Sequence, residues 1–142
     1  MVNQCLPLIR GSIRSARDTV FTSDYRVVYL ASPYSHPDPR VRDARFQDAC
    51  RAAAALLSAG EIVFSPIAHS HAIAAHGLPT AWEFWECADG ELLRRCDELL
   101  VLMLPGWQES RGLQAEIAMA RELGMPVRYL ACTSWDGLLN PL

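Results

Sequence analysis

The chain has no apolar run near the roughly 20 residues that a bilayer-spanning helix needs. Pro7 and Arg10 interrupt its start too early for a secretory hydrophobic region. A cytoplasmic protein without a membrane partner is therefore expected. Charge of either sign is not in excess: 13 Lys and Arg against 16 Asp and Glu leave a net charge of −3, which gives no basic footprint for a nucleic-acid polymer. No CxxC pair occurs among Cys5, Cys50, Cys87, Cys96 and Cys132. An odd count without that spacing argues against a disulfide framework and a structural zinc site, and leaves most of these residues as small core side chains. His69, His71 and His76 are joined by no HExxH motif or acid cluster, so no metal is expected and the histidines read as loop or pocket-mouth residues. No GxGxxG follows the first predicted strand, which counts against a flavin or dinucleotide protein, and no cofactor is expected.

What is present fits one α/β domain. With 142 residues the chain can bury one core and not two. Residues 1–25 show no sustained period and read as an extension, with a single domain over 26–142. Arg26 to Ala31 is a short β-branched and aromatic run ending before Pro33, and predicts a buried strand. Asp38-Pro39 signals an N-cap with proline at the first helical position, opening an Ala-rich helix that stops at Gly60. Glu61 to Phe64 predicts a second strand closed by Ser65-Pro66. Residues 67–79 form a loop or short helix, and Thr80 to Glu83 matches a capping box. Glu98 to Leu104 is the strongest buried strand, a helix from Ser110 ends at Gly124, and Val127 to Leu130 is a last strand. Strands alternating with helices predict a Rossmann-like, flavodoxin-like, doubly wound parallel sheet of four to five strands.

Two acids stand where acids are costly. In the helix after Ser110, Leu113, Ile117, Ala120 and Leu123 form one apolar stripe, and Glu116 falls inside it. Gly112, one turn earlier on the same face, removes bulk beside Glu116 and leaves room for a ligand. On the preceding helix Trp82, Trp85, Asp89, Leu93 and Cys96 recur at spacings of three and four, so Asp89 also faces inward. Glu116 reads as part of a site, or as a side chain that reaches the rim or pairs with an arginine, and Asp89 as a second inward acid.

Ligands in such sheets bind outside the carboxyl ends of the strands. That places three loops around a site: Ala31 to Pro39, with Ser32 and Tyr34; Ser65 to Pro79; and Pro105 to Ser110. Ser110, near the N-cap, with the amides of Arg111 and Gly112, forms an anion site or merely caps the helix. Trp82, Trp85 and Tyr34 are placed to stack on a ring or to pack in the core.

Tyr29 to Tyr34 after the first strand, Asp89 followed by Leu92 to Asp97, and Ser110-x-Gly112-x-x-x-Glu116 together resemble the nucleoside 2-deoxyribosyltransferase superfamily over roughly residues 26–130. It includes base-exchanging transferases and nucleoside 5′-monophosphate N-glycosidases, and the nearest look-alikes are small bacterial proteins grouped as a domain of unknown function. The resemblance implies Glu116 as nucleophile at C1′, Asp89 as the acid that handles the base, and Tyr29 as the group that orients Glu116. It implies Ser110 as a substrate contact, and the loops, the helix face and the rings around the site add Gly112, Ser32, Tyr34, Ser65 and Trp85 as expected substrate-binding residues. A serine at position 110 matches the monophosphate hydrolases and favours a nucleotide over a nucleoside. The first loop, Ser32 to His36, departs from the glycine-rich, arginine-containing form of those hydrolases, and the residues after Leu130 match no element of the superfamily.

The expected activity is cleavage of an N-glycosidic bond in a nucleotide or (deoxy)nucleoside, with water or a second base as acceptor. The alternative is a non-catalytic Rossmann-like module that binds a nucleotide as sensor or scaffold. Small enzymes of the superfamily associate, and the Ala-rich helix and the Trp82 to Cys96 helix carry apolar faces that one sheet does not cover. A homodimer is therefore expected, with the tail after Leu130 a candidate to close the partner's pocket.

Overall fold

The computed structural model of the chain describes residues 25–131. The expected N-terminal extension, apart from Tyr25, and the tail proposed to reach a partner lie outside them. Four strands, β1 (Val27–Ala31), β2 (Ile62–Phe64), β3 (Glu98–Met103) and β4 (Val127–Ala131), form one parallel sheet in the order β2-β1-β3-β4. Alternating with them are four helices: α1 (Pro39–Ser58), α2 (Pro66–Ala74), α3 (Trp82–Leu93) and α4 (Arg111–Glu122). This is the expected doubly wound, flavodoxin-like architecture, with four strands among the described residues.

Alternation along the two central strands divides the core into two sides. Val28 and Leu30 of β1, with Leu100 and Leu102 of β3, pack against Ala52, Ala55 and Leu56 of α1. Tyr29 and Ala31, with Leu99 and Val101, pack instead against Leu93 of α3 and Leu113, Ile117 and Ala120 of α4. Burial on both faces explains why these strands read as continuous apolar runs. Helix α1 begins as the sequence predicts, with Asp38 accepting from the Arg40 amide at 2.9 Å and Pro39 in the first turn. It ends before Gly60, whose φ of 89° suits the left-handed turn into β2.

Several local expectations fail for identifiable reasons. The capping box at Thr80 does not form: the N-cap is Ala81, with no side-chain cap bond, and Glu83 pairs with Arg111 of α4 instead of turning back. The stripe of α3 stops at Leu93, and Cys96 lies in the turn before β3, where its thiol donates to the Leu92 carbonyl at 3.4 Å. Leu123 caps α4 and is exposed rather than part of the buried stripe. None of the three described cysteines is a fully buried core residue: Cys50 and Cys96 are free and half-buried, while Cys87 is exposed and disulfide-bonded, contrary to the expectation from spacing. No helix among the described residues is long and apolar enough to cross a membrane.

The chain leaves β1 toward β2 on one side of the sheet, while β3 and β4 lie on the other, so the connections diverge between β1 and β3. Such a switch point opens a crevice at the carboxyl ends of the strands. At the opposite edge the buried Glu98 carboxylate accepts from Arg26 Nη2 at 2.6 Å and from Arg128, which also bonds Glu61 at 3.0 Å.

Candidate functional site

A cleft occupies the crevice at the switch point and encloses about 480 Å³, part of it continuous with solvent. Ser32 and Tyr34 enter it from the loop after β1, Ser70 from α2, Trp82, Trp85 and Asp89 from α3, and Ser110, Gly112 and Glu116 from α4.

Two glycines bring α3 and α4 close enough to share this space. A Cβ on Gly90 would meet Met119 Cε at 3.1 Å, and one on Gly112 would meet Trp82 Cε3 at 3.0 Å. The room beside Glu116 that the sequence assigns to a ligand is thus partly taken by the Trp82 indole, and the cleft lies beyond that ring. Arg111 and Glu83 tie the same two helices at the surface.

Glu116 is 4% exposed and accepts from the Tyr29 hydroxyl at 2.6 Å through Oε1. It forms no other hydrogen bond or ion pair among the described residues. Tyr29 does not line the cleft; it stands fully buried on β1 behind the carboxylate, which is the position required of an orienting group. Burial pushes the Glu116 carboxyl up to about 8; the Tyr29 bond counters this and the charge of Asp89 adds to it. Asp89, 7% exposed, has no hydrogen-bond or ion-pair partner among the described residues, and its own desolvation lifts it to about 6. The Tyr29 phenol is raised far above its ordinary value, first by burial and then by both acids, so it stays protonated and donating. Neither acid has reached the rim or found an arginine, so of the two readings open from sequence the inward one stands.

The remaining expected residues divide. Ser32 is 5% exposed, lines the cleft, and its hydroxyl has no hydrogen-bond partner among the described residues. A buried polar atom without a partner is rare and marks a place for a ligand or water atom. Ser110 is the N-cap of α4, yet its hydroxyl makes no cap bond and remains available. Ser65 does not line the cleft; its hydroxyl accepts from the Ala68 amide at 3.1 Å and caps α2, a role already hinted at by the proline that follows. Trp85 lines the cleft with its ring while its N–H donates to the Pro79 carbonyl at 2.8 Å.

Sequence reasoning missed the support behind Tyr34. The Tyr34 hydroxyl bonds His71 Nδ1 at 2.8 Å, and the His71 ring stacks on Phe46 with centroids 4.2 Å apart. The ring thus holds a cleft residue through packing and one hydrogen bond. Its signal was the placement of His71 in the loop region after β2, which could not reveal a partner 37 residues upstream. Ser35 was also missed; its hydroxyl donates to the Thr80 carbonyl at 3.2 Å and joins the loops after β1 and α2 across the mouth. Among the described residues no three His, Cys, Asp or Glu side chains are grouped to hold a metal ion.

A comparison with curated proteins finds no match. The domain of unknown function DUF1937 matches residues 26–131, which takes in all four strands and every residue of the cleft, and the chain belongs to that family.

Proposed function

We propose that the chain cleaves the N-glycosidic bond of a nucleotide or (deoxy)nucleoside, with Glu116 as nucleophile and Asp89 as the acid serving the base. The observation that carries this reading is the buried Glu116 carboxylate, held from behind by Tyr29 at 2.6 Å and facing an open cleft that a second unpaired acid shares. Burying two acids without cations is costly for a fold and has no structural return here. In the reaction the Glu116 oxygen bonds to C1′ as the C1′–N bond breaks, and the electron pair goes to the base nitrogen, which takes the Asp89 proton. Water, or a second base, then displaces the carboxylate from C1′ and returns a proton to Asp89. The hydroxyls of Ser32 and Ser110 are placed to receive polar atoms of the substrate. The likeness to the nucleoside 2-deoxyribosyltransferase superfamily supports the same roles.

The competing view, a module that only binds a nucleotide, is disfavoured by the same two acids, which are a poor seat for an anionic ligand. Incubation with a panel of nucleosides and monophosphates, with free base resolved by chromatography, tests the proposal. Base release by the wild type and its loss in Glu116→Gln is expected. Equal activity of that variant would remove Glu116 from the mechanism, and release from no member of the panel would favour the binding module.

A further inference from the structure

Tyr34 stands on the cleft wall, and a line of polar groups runs from its hydroxyl out to solvent. The hydroxyl lies 2.8 Å from His71 Nδ1, and His71 Nε2 lies 3.7 Å from the carboxylate of Asp43, an exposed residue of α1. The imidazole is held between rings: it stacks on Phe46 at 13° with centroids 4.2 Å apart and meets the Tyr34 ring edge-on at 86°. Each ring nitrogen therefore keeps its own partner.

A phenol has three hydrogen-bonding positions, one O–H and two lone pairs. His71 takes one of them. The Arg42 guanidinium, which donates to the carbonyls of His36 at 2.5 Å and Pro37 at 3.3 Å, bears on the hydroxyl as well and takes a second. One position is left for a molecule in the cleft, and its sign depends on His71. While the imidazole is neutral, Asp43 selects the tautomer with its proton on Nε2, so Nδ1 accepts from Tyr34 and the remaining position is a lone pair. Once the imidazole is protonated, Nδ1–H donates to the Tyr34 oxygen and the phenol proton turns to the remaining position, where it is a donor. Burial raises the phenol above its ordinary value against the pull of Arg42, so Tyr34 keeps a proton in both states.

Asp43 favours the charged imidazole and Arg42 opposes it; His36 is turned to the Asp38 amide at 3.0 Å, and Asp89 and Glu116 are the titratable groups that α3 and α4 bring to the cleft. The neutral contacts of the cleft discriminate less. The Ser32 and Ser110 hydroxyls rotate to suit a donor or an acceptor, and the Trp85 N–H is spent on Pro79.

We infer that His71 is a specificity-determining residue of the cleft: by setting Tyr34 as donor or acceptor, it makes the site favour a ring that presents a carbonyl there at low pH and one that presents an amino group at high pH. The inference deepens the glycosidase reading above, on which the choice of nucleosides as probes rests.

The test uses the full chain carrying Glu116→Gln, so that binding is read without turnover. Calorimetry with cytidine and with uridine, which present an amino group and a carbonyl at the same ring position, runs from about pH 5.5 to 8.5, where neither ring changes its charge, and NMR follows the His71 imidazole in the same samples. Tyr34→Phe and His71→Asn, each added to Glu116→Gln, remove the device and leave Asp89 in place. The cytidine-to-uridine affinity ratio should rise about tenfold with pH, with the midpoint of the His71 titration, and stay flat in both double variants. Adding Asp43→Asn instead should move that midpoint to lower pH, because the imidazolium loses its carboxylate. A ratio that does not change with pH, one that changes equally without the Tyr34 hydroxyl, a midpoint apart from the His71 titration, or binding of neither nucleoside overturns the switch. The expected change in binding, with no base released from either nucleoside by the wild type, would sink the glycosidase reading and leave the role of His71 standing.

Discussion

Glu98 and Glu116 are equally buried at 4% exposure, yet one accepts from two guanidiniums and the other from a single phenol. The difference makes Glu116 a liability for folding. Its carboxyl titrates near 8 in the folded chain and near 4.5 when exposed, so between those values the folded state binds more protons and stability falls as pH rises. Glu116→Gln should therefore raise the melting temperature above pH 8 while removing activity, and should flatten the loss of stability between pH 5 and 8, roughly a few kcal/mol of pH-dependent cost. Thermal melts of both proteins across that range check it; equal melting temperatures at pH 9 would mean that the folded chain holds the carboxylate at no cost.

The two acids also set a pH profile. The pair loses one proton near 6, from Asp89, and the other near 8, from Glu116, and catalysis on a neutral base needs one proton shared between them. With Tyr29 the only other titratable group among the described residues bonded to either, kcat/KM should rise through about 6 and fall through about 8. In the free protein the deeper burial of Glu116 places the resting proton there rather than on Asp89. A substrate that places positive charge at C1′ reverses that order. For a cationic ring, which needs no proton from Asp89, the alkaline limb should disappear; a bell for both substrate types would return Asp89 to an obligatory role. Asp89→Asn should lower kcat more than it raises KM for a neutral base, and a change confined to KM would make Asp89 a positioning residue.

At the scale of elements, the meeting of α3 and α4 decides the shape of the cleft. Replacing Gly112 by Ala gains about 1 kcal/mol of helix propensity, but the new Cβ meets the Trp82 ring at 3.0 Å and pushes it toward the substrate. Overpacking of that kind costs about 1–3 kcal/mol, so Gly112→Ala should lower the melting temperature slightly and raise KM. A more stable protein with unchanged KM would show that Trp82 yields without entering the cleft.

The same helices show how much the sequence made legible. Period and caps placed seven of the eight described elements, because β1 and β3 are buried on both faces and Asp38-Pro39 is a strong local start signal, whereas the stretch that forms α2 carries too weak a period to separate a short helix from a loop. The inward acids were visible for the same reason, since 3.6-residue periodicity exposes an exception. Lost were the features that depend on what lies across a gap: Trp82 filling the space over Gly112, His71 holding Tyr34, Glu83 preferring Arg111 to its own helix. One-dimensional patterns carry which face a side chain takes, and not which neighbour arrives there.

On the scale of the whole molecule, the sheet separates its two buried polar networks. The Arg26–Glu98–Arg128–Glu61 cluster sits at the amino-terminal edge, on the far side of the core from Asp89 and Glu116. Glu98→Gln should lower stability by about 1–3 kcal/mol and leave kcat/KM unchanged, a control that separates damage to the fold from damage to the site. Chemical denaturation with a parallel assay reads both, and a loss of activity without loss of stability would show the two ends to be coupled. Exposed Leu57, Ile73 and Leu92 lie one each on α1, α2 and α3, and a homodimer that covers such side chains is the proposed assembly. Sedimentation at micromolar concentration should give twice the 15.8 kDa chain mass, and a fully active monomer would rule out a required dimer.

Tyr29 belongs at once to the packing of the central strand and to the site. Its ring lies 5.8 Å from that of Phe64 and within the same cluster as Leu99 and Val101, while its hydroxyl fixes Glu116. A shift of that ring by a few tenths of an ångström, too small to cost much folding energy, moves the phenol against the carboxylate. In a random mutant library, therefore, inactive but well-folded variants should accumulate at core positions around Tyr29, far more than at matching positions on the α1 side of the sheet. The two faces of one strand would then evolve under different rules, one tolerant of any side chain that fills the volume, the other tolerant only of those that leave a single oxygen where it is.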